Sequence, residues 1–105
     1  MSESALLIVS AEVLPGREDD FNKWYDEHHI PLFSGKFPRL KSVKRFHSEK
    51  SNQEFLAIYE FGSQDDLERA LSSQERKDAK DDSSKQIGIL VKSFSSNTYS
   101  QVYPK

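Results

Sequence analysis

The chain has 105 residues, a net charge of −2 and no cysteine. That length predicts one domain over residues 1–105, with a single core that buries roughly 60–70% of the unfolded surface. Without cysteine there is no disulfide, no thiolate metal site and no Cys nucleophile, and the balanced, interspersed charge offers no electrostatic reason to bind nucleic acid.

Ala5 to Val13 is predicted to be a strand, rich in Leu, Ile and Val and stopped by Pro15-Gly16. Ala5, Leu7, Val9, Ala11 and Val13 form a wholly apolar face, and Leu6 and Ile8 make half of the other face apolar. A central strand covered on both sides has this pattern. Its apolar run from Ala5 to Val9 falls far short of the ~20 residues a bilayer span needs. The run also lacks the basic flank and cleavage site of a signal peptide. The expected compartment is cytoplasmic, with no membrane partner.

A helix is predicted from Arg17 to about Ile30. Glu18, Asp19 and Asp20 suit its positive end. Phe21, Trp24, Tyr25, His28 and Leu32 recur at helical spacing, and Pro31 should end or kink the helix. Residues 33–38 are then a loop anchored by Phe33 and Phe37. Leu40 to Ser48 is a second strand, whose Lys and Arg residues suit a sheet edge. Glu54 to Phe61 is a third strand in a hairpin with it, carrying Phe55, Ala57, Tyr59 and Phe61 on one face and Leu56 and Ile58 on the other. Ser63 and Asp66 look like the cap of a short helix that turns Leu67, Ala70 and Leu71 inward. Residues 74–86 are highly charged and fit either a solvated helix or a mobile loop. Ile87 to Val102 is expected as a long last strand, whose serine-rich centre from Ser93 to Ser96 is the expected place of a bulge or bend.

The order β-α-β-β-α-β is that of the ferredoxin-like split motif, an α+β fold with a four-stranded antiparallel sheet and helices on one face. Helices on one face leave the other apolar face of strands one and three bare, and a large bare apolar face implies a partner. The simplest partner is a second copy packed sheet to sheet, which predicts a homodimer.

The stretch Phe21 to Pro31 holds the densest cluster of chemically capable side chains. With Phe21 at the centre of the buried face and about 100° per residue, His28 falls within about 20° of that centre and Tyr25 within about 40°. Trp24 lies about 60° to one side and His29 about 80° to the other. Adjacent histidines on a helix diverge, so the pair is poorly arranged to chelate one metal, and no metal site is expected. By phase, His28 is a core or pocket-wall histidine. His29, at the margin, either faces a cleft where imidazole can move a proton or sits at the surface near the helix C-terminus. Tyr59 could orient a ligand through its hydroxyl or be core. Tyr99 and Tyr103 are as well explained as dimer contacts. The basic stretch Lys36, Arg39, Lys41, Lys44, Arg45 and Lys50 fits a solvated edge better than an anion site.

Trp24-Tyr25 followed by His29-Ile30-Pro31, after Pro15-Gly16 and with Phe21 three residues before Trp24, resembles the WY…HIP signature of the EthD-like branch of the dimeric α/β-barrel superfamily. The resemblance covers residues 5–61 by sequence and the remainder by topology. It implies a ferredoxin-like protomer, a dimer whose sheets form a barrel, and a pocket between sheet and helices. It assigns the motif histidine to His29 and carries Trp24, Tyr25 and Pro31 over as pocket or framework positions. Such relatives include cofactor-independent monooxygenases, dehydratases, isomerases and cyclases. The resulting expectation is a homodimer that binds a hydrophobic or aromatic metabolite without a cofactor. His29 is the acid/base, and Trp24, Tyr25, His28 and Tyr59 bind substrate. The alternative is a non-catalytic ligand-binding or stress-related accessory dimer. Haem binding through a histidine has no further support than a His near aromatic residues.

Overall fold

A computed structural model describes residues 4–37 and 39–104. Strand β1 (Ala5–Val13) leads through a turn, where Gly16 takes φ +84°, into helix α1 (Glu18–Trp24). A π-helical turn, Tyr25–His29, passes directly into helix α2 (Ile30–Lys36). Strands β2 (Leu40–His47) and β3 (Glu54–Phe61) form a hairpin. Helices α3 (Gln64–Leu71) and α4 (Gln74–Leu90) precede the last strand, β4 (Val91–Ser100).

The four strands form one antiparallel sheet in the order β2-β3-β1-β4. The ferredoxin-like α+β fold is therefore present, with β1 and β3 central and the charged β2 at an edge. Along β1 the burial alternates strictly: Ala5, Leu7, Val9, Ala11 and Val13 are buried beneath the helices. The same holds for Phe55, Ala57, Tyr59 and Phe61 of β3. Phe21 and Tyr25 from the first helical layer and Leu67 from α3 complete this core. The opposite face carries Leu6, Ile8 and Ile58, with Leu56, Phe46 and Tyr99 exposed on it. Ser63 caps α3 by accepting a hydrogen bond from the Asp66 backbone N–H at 3.1 Å, which is the expected cap.

Several local expectations are corrected. Pro31 does not end the helix. It lies in the first turn of α2, where its missing N–H is tolerated, and helical backbone runs on to Lys36. The turn before it is widened, with the Ile30 N–H reaching back five residues to the Tyr25 carbonyl. A wide turn relieves the clash between a proline ring and the carbonyl four residues earlier. Most of the expected loop at 33–38 is thus helix. Phe37 is buried as the expected anchor, whereas the Phe33 side chain and Pro38 lie outside the described residues.

Residues 74–86 are helical, and α4 extends into the segment expected to begin the last strand, through Leu90. Ser83, Ile87 and Leu90 lie at i, i+4 and i+7 and turn inward as a narrow stripe. A polar residue in that stripe conceals the period. The β1–β4 register shifts where Glu12 faces Ser93 and Val13 faces Val91. The irregularity sits at Lys92, just before the serine run rather than inside it.

Candidate functional site

The π turn decides which histidine faces inward. A regular helix would carry His29 a further 40° or so past Tyr25. A π turn holds more residues per turn, so the four steps from Tyr25 to His29 complete about one revolution. Phe21, Tyr25 and His29 consequently lie in line, and all three are buried. His28, expected in the buried stripe, is rotated outward and is exposed. It borders a shallow surface hollow with Asp20, Lys23, Trp24 and Glu27.

His29 is 7% exposed, and its ring lies 5.0 Å from the Trp24 ring and 4.8 Å from the Tyr25 ring, centroid to centroid. Trp24 and Tyr25 meet each other edge to face at 5.7 Å. The imidazole is thus held by aromatic walls supplied from its own helical segment, which restricts its rotation. The Tyr25 hydroxyl is hydrogen-bonded to the Tyr59 hydroxyl of β3, and either oxygen can be the donor. Burial raises the Tyr25 pKa to about 12, against the lowering effect of that hydrogen bond and of Arg45. Burial raises Tyr59 further still, assisted by Tyr25. Both phenols are therefore neutral at physiological pH.

Arg45 of β2 is placed where sequence reasoning did not put it. It stands opposite Ala57, whose small side chain leaves room on the core face. Its guanidinium lies over the rings of Tyr25, Phe21 and Phe55, at 4.7, 5.4 and 5.5 Å from their centroids. It donates to Asp26 Oδ1 at 2.8 Å and to Asn22 Oδ1 at 2.9 Å. Its side chain is 14% exposed, so this member of the basic stretch is packed rather than solvated. It locks β2 onto the first helical segment and steadies the Tyr25 ring.

A cavity of about 410 Å³ opens between the sheet and α4. Leu7, Val9 and Phe94 form an apolar floor, and α4 contributes Lys80, Ser83, Ser84, Ile87 and Gly88. His29 and Tyr59 line it as well. This size falls within the range of small-molecule sites. Among the expected site residues, His29 and Tyr59 reach the cavity. Trp24 and Tyr25 pack behind the imidazole, and His28 lies outside. The α4 residues were missed because their segment has little apolar periodicity. The inward stripe from Ser83 to Leu90 was the available signal. A second hollow, of about 440 Å³, lies on the bare side of the sheet against Phe46, Leu56 and Glu12. Among the described residues, no three His, Asp or Glu side chains converge to hold a metal ion, and no helix is long and apolar enough to cross a membrane.

No protein-family profile matches the sequence, and no curated protein matches it. The fold does match solved structures over nearly the whole chain. SnoaB, a cofactor-independent oxygenase from Streptomyces nogalater, superimposes with a TM-score of 0.71 at 12% identity, covering 99% of this chain and 100% of that one. A Shewanella oneidensis protein gives 0.73 at 15% identity, covering 96% and 93%. A candidate antibiotic biosynthesis monooxygenase from Bordetella bronchiseptica gives 0.72 at 19% identity, covering 96% and 99%. The chain has the ferredoxin-like α+β fold of the antibiotic biosynthesis monooxygenases. At these identities the likeness establishes the fold, and activity has to be argued from the site itself.

Proposed function

We propose that this protein is a small, cofactor-independent acid/base enzyme acting on a hydrophobic or aromatic, carbonyl-bearing metabolite, with His29 as the acid/base and Tyr59 as its polar partner. The observation that supports this reading most is the pairing of a buried imidazole with a neutral phenol on the wall of one largely apolar cavity. An imidazole can take a proton from carbon next to a carbonyl near neutral pH. A phenol kept neutral by burial can donate to the oxygen on which charge develops. Proton abstraction is the first step in dehydration, isomerisation, cyclisation and cofactor-free oxygenation of such substrates. The last of these is the activity of SnoaB. Trp24 and Tyr25 would orient His29, and His28 stands too far outward to share its role.

We also read the chain as a homodimer in the dimeric α/β-barrel superfamily. The support is the bare apolar sheet face, on which Phe46 is 49% and Tyr99 48% exposed. The Trp24-Tyr25 and His29-Ile30-Pro31 motif favours the EthD-like branch. A cytoplasmic location fits this reading.

The test is a panel of anthrone-like, quinol and β-dicarbonyl compounds assayed for oxygen uptake and for product formation. Turnover that falls at least about 100-fold in His29→Gln supports acid/base catalysis. Turnover unchanged in that variant excludes it. Ligand binding without turnover across the panel favours a non-catalytic binding module.

A further inference from the structure

Gly88 occupies an unusual place. It lies inside α4, where glycine is disfavoured relative to alanine. Its φ is not positive, and a Cβ at this position would meet nothing within 4 Å. Neither backbone conformation nor close packing calls for glycine there. What glycine leaves is open space, and Gly88 lines the cavity beside Ser84. The shoulder of α4 at this point is therefore low.

The charge among the described lining of the cavity is one-sided. Lys80 is the one permanently charged residue among the described lining, and no described carboxylate lines the cavity. This is notable in a chain of net charge −2. Lys80 lies two turns before Ile87 and Gly88 on the same helix, lines the cavity and is exposed to solvent. On the sheet side of the cavity, Val9 and Phe94 offer an apolar floor for a flat ring.

Resting on the reading of this cavity as the ligand site, we propose that its ligand is a ring-bearing organic anion (a carboxylate, enolate or phenolate on a flat apolar skeleton) that passes over Gly88 and sets its negative oxygen against Lys80. The skeleton lies between Ile87 and the Phe94 floor, which presents its inner end to His29 and Tyr59. Lys80 binds charge at the mouth and takes no part in proton transfer. A neutral skeleton of the same shape fits the cavity but gains nothing from Lys80.

Two dyes of one shape test this without knowledge of the natural ligand. 1-Anilinonaphthalene-8-sulfonate is anionic, and N-phenyl-1-naphthylamine is its neutral counterpart. Both are titrated by fluorescence against the full chain and against Lys80→Met, Gly88→Ala and Gly88→Phe. Lys80→Met should weaken the sulfonate about five-fold, the effect of one exposed ion pair, and leave the amine unchanged. Gly88→Phe should abolish binding of both dyes, and Gly88→Ala, which adds a single methyl group, should retain it. Equal effects of Lys80→Met on both dyes, or none on either, overturn the anion preference. Dye binding that survives Gly88→Phe places the dyes elsewhere and overturns the route over Gly88. Dye binding needs no turnover, so failure of the catalytic reading is seen separately, as substrate turnover that is absent from the wild-type protein or unchanged in His29→Gln while the wild-type dye preference and its loss in Lys80→Met are intact.

Discussion

The Tyr25 and Tyr59 hydroxyls meet inside the core, so that one hydrogen bond joins the first helical segment to the central strand β3. It is a cross-layer contact between two phenols that have been removed from water. Tyr59 continues to the cavity, whereas Tyr25 ends beneath the His29 ring. Loss of one partner leaves a buried polar group behind. We expect Tyr59→Phe to lower unfolding stability by about 1–3 kcal/mol. Tyr25→Phe combined with Tyr59→Phe should cost less than the sum of the two single changes. A double-mutant cycle from urea unfolding measures this, and strict additivity would show that the bond contributes nothing.

The same pair predicts alkaline sensitivity. An unfolded phenol titrates near pH 10, and folded Tyr25 is pushed up to about 12 by burial. Its neutral form is the one the fold favours, so its contribution is complete below about pH 10. Between about pH 10 and 12 the unfolded chain has lost the proton and the folded one keeps it. Stability should then fall by about 1.4 kcal/mol per pH unit from Tyr25 alone, and Tyr59 shifts in the same direction. Urea midpoints measured across this range should decline more gently in Tyr25→Phe. A variant as steep as the wild type would remove Tyr25 from the explanation.

Arg45 lies over three aromatic rings and bonds to Asp26 and Asn22. Asp26 is more than half exposed, so the ion pair itself adds little. Most of the contribution comes from the packed guanidinium plane. Arg45→Ala should therefore cost about 2 kcal/mol, and Arg45→Lys should recover less than half of it. Full recovery by lysine would mean that charge, and not the plane, is what matters.

Gly88→Ala should raise stability by about 0.5–1 kcal/mol, because the added methyl group meets open space and the helix loses a glycine. A rise in the thermal midpoint is the readout. A fall would mean that the shoulder of α4 is packed more tightly than its open space indicates.

The bare sheet face offers a direct test of the dimer. Ile8 and Ile58 lie side by side in register on the two central strands, at the middle of that face. Ile8→Lys places a charge there and should give a folded monomer by light scattering at micromolar concentration, while circular dichroism remains native. A wild-type protein that is itself monomeric would remove the need for a partner.

The sequence by itself determined the architecture. The alternation along β1 and β3, the stop at Pro15-Gly16 and the cap at Ser63 are all local signals. Period and turn chemistry act within a few residues, so a fold assembled from them is legible before any long-range contact is known. It also proposed His29 as the acid/base, through its place at the margin of the helical stripe and in a motif, while regular helical phase put His28 in the buried stripe. Only the tertiary structure decided the rest. Pro31 is accommodated by a π turn, which no propensity announces, and that turn moves one histidine inward and the other out. Residues 74–90 are helical because Ser83, Ile87 and Leu90 find a surface to cover, although their own periodicity is faint. Arg45 is packed because Ala57 opposite and the Tyr25 ring above leave a slot for its plane. For α4 and Arg45 the deciding energy comes from a neighbour distant in sequence, and such energies exist only once the chain has brought the neighbours together; the π turn answers a local clash at Pro31, and its consequence for the two histidines shows only against the packed sheet.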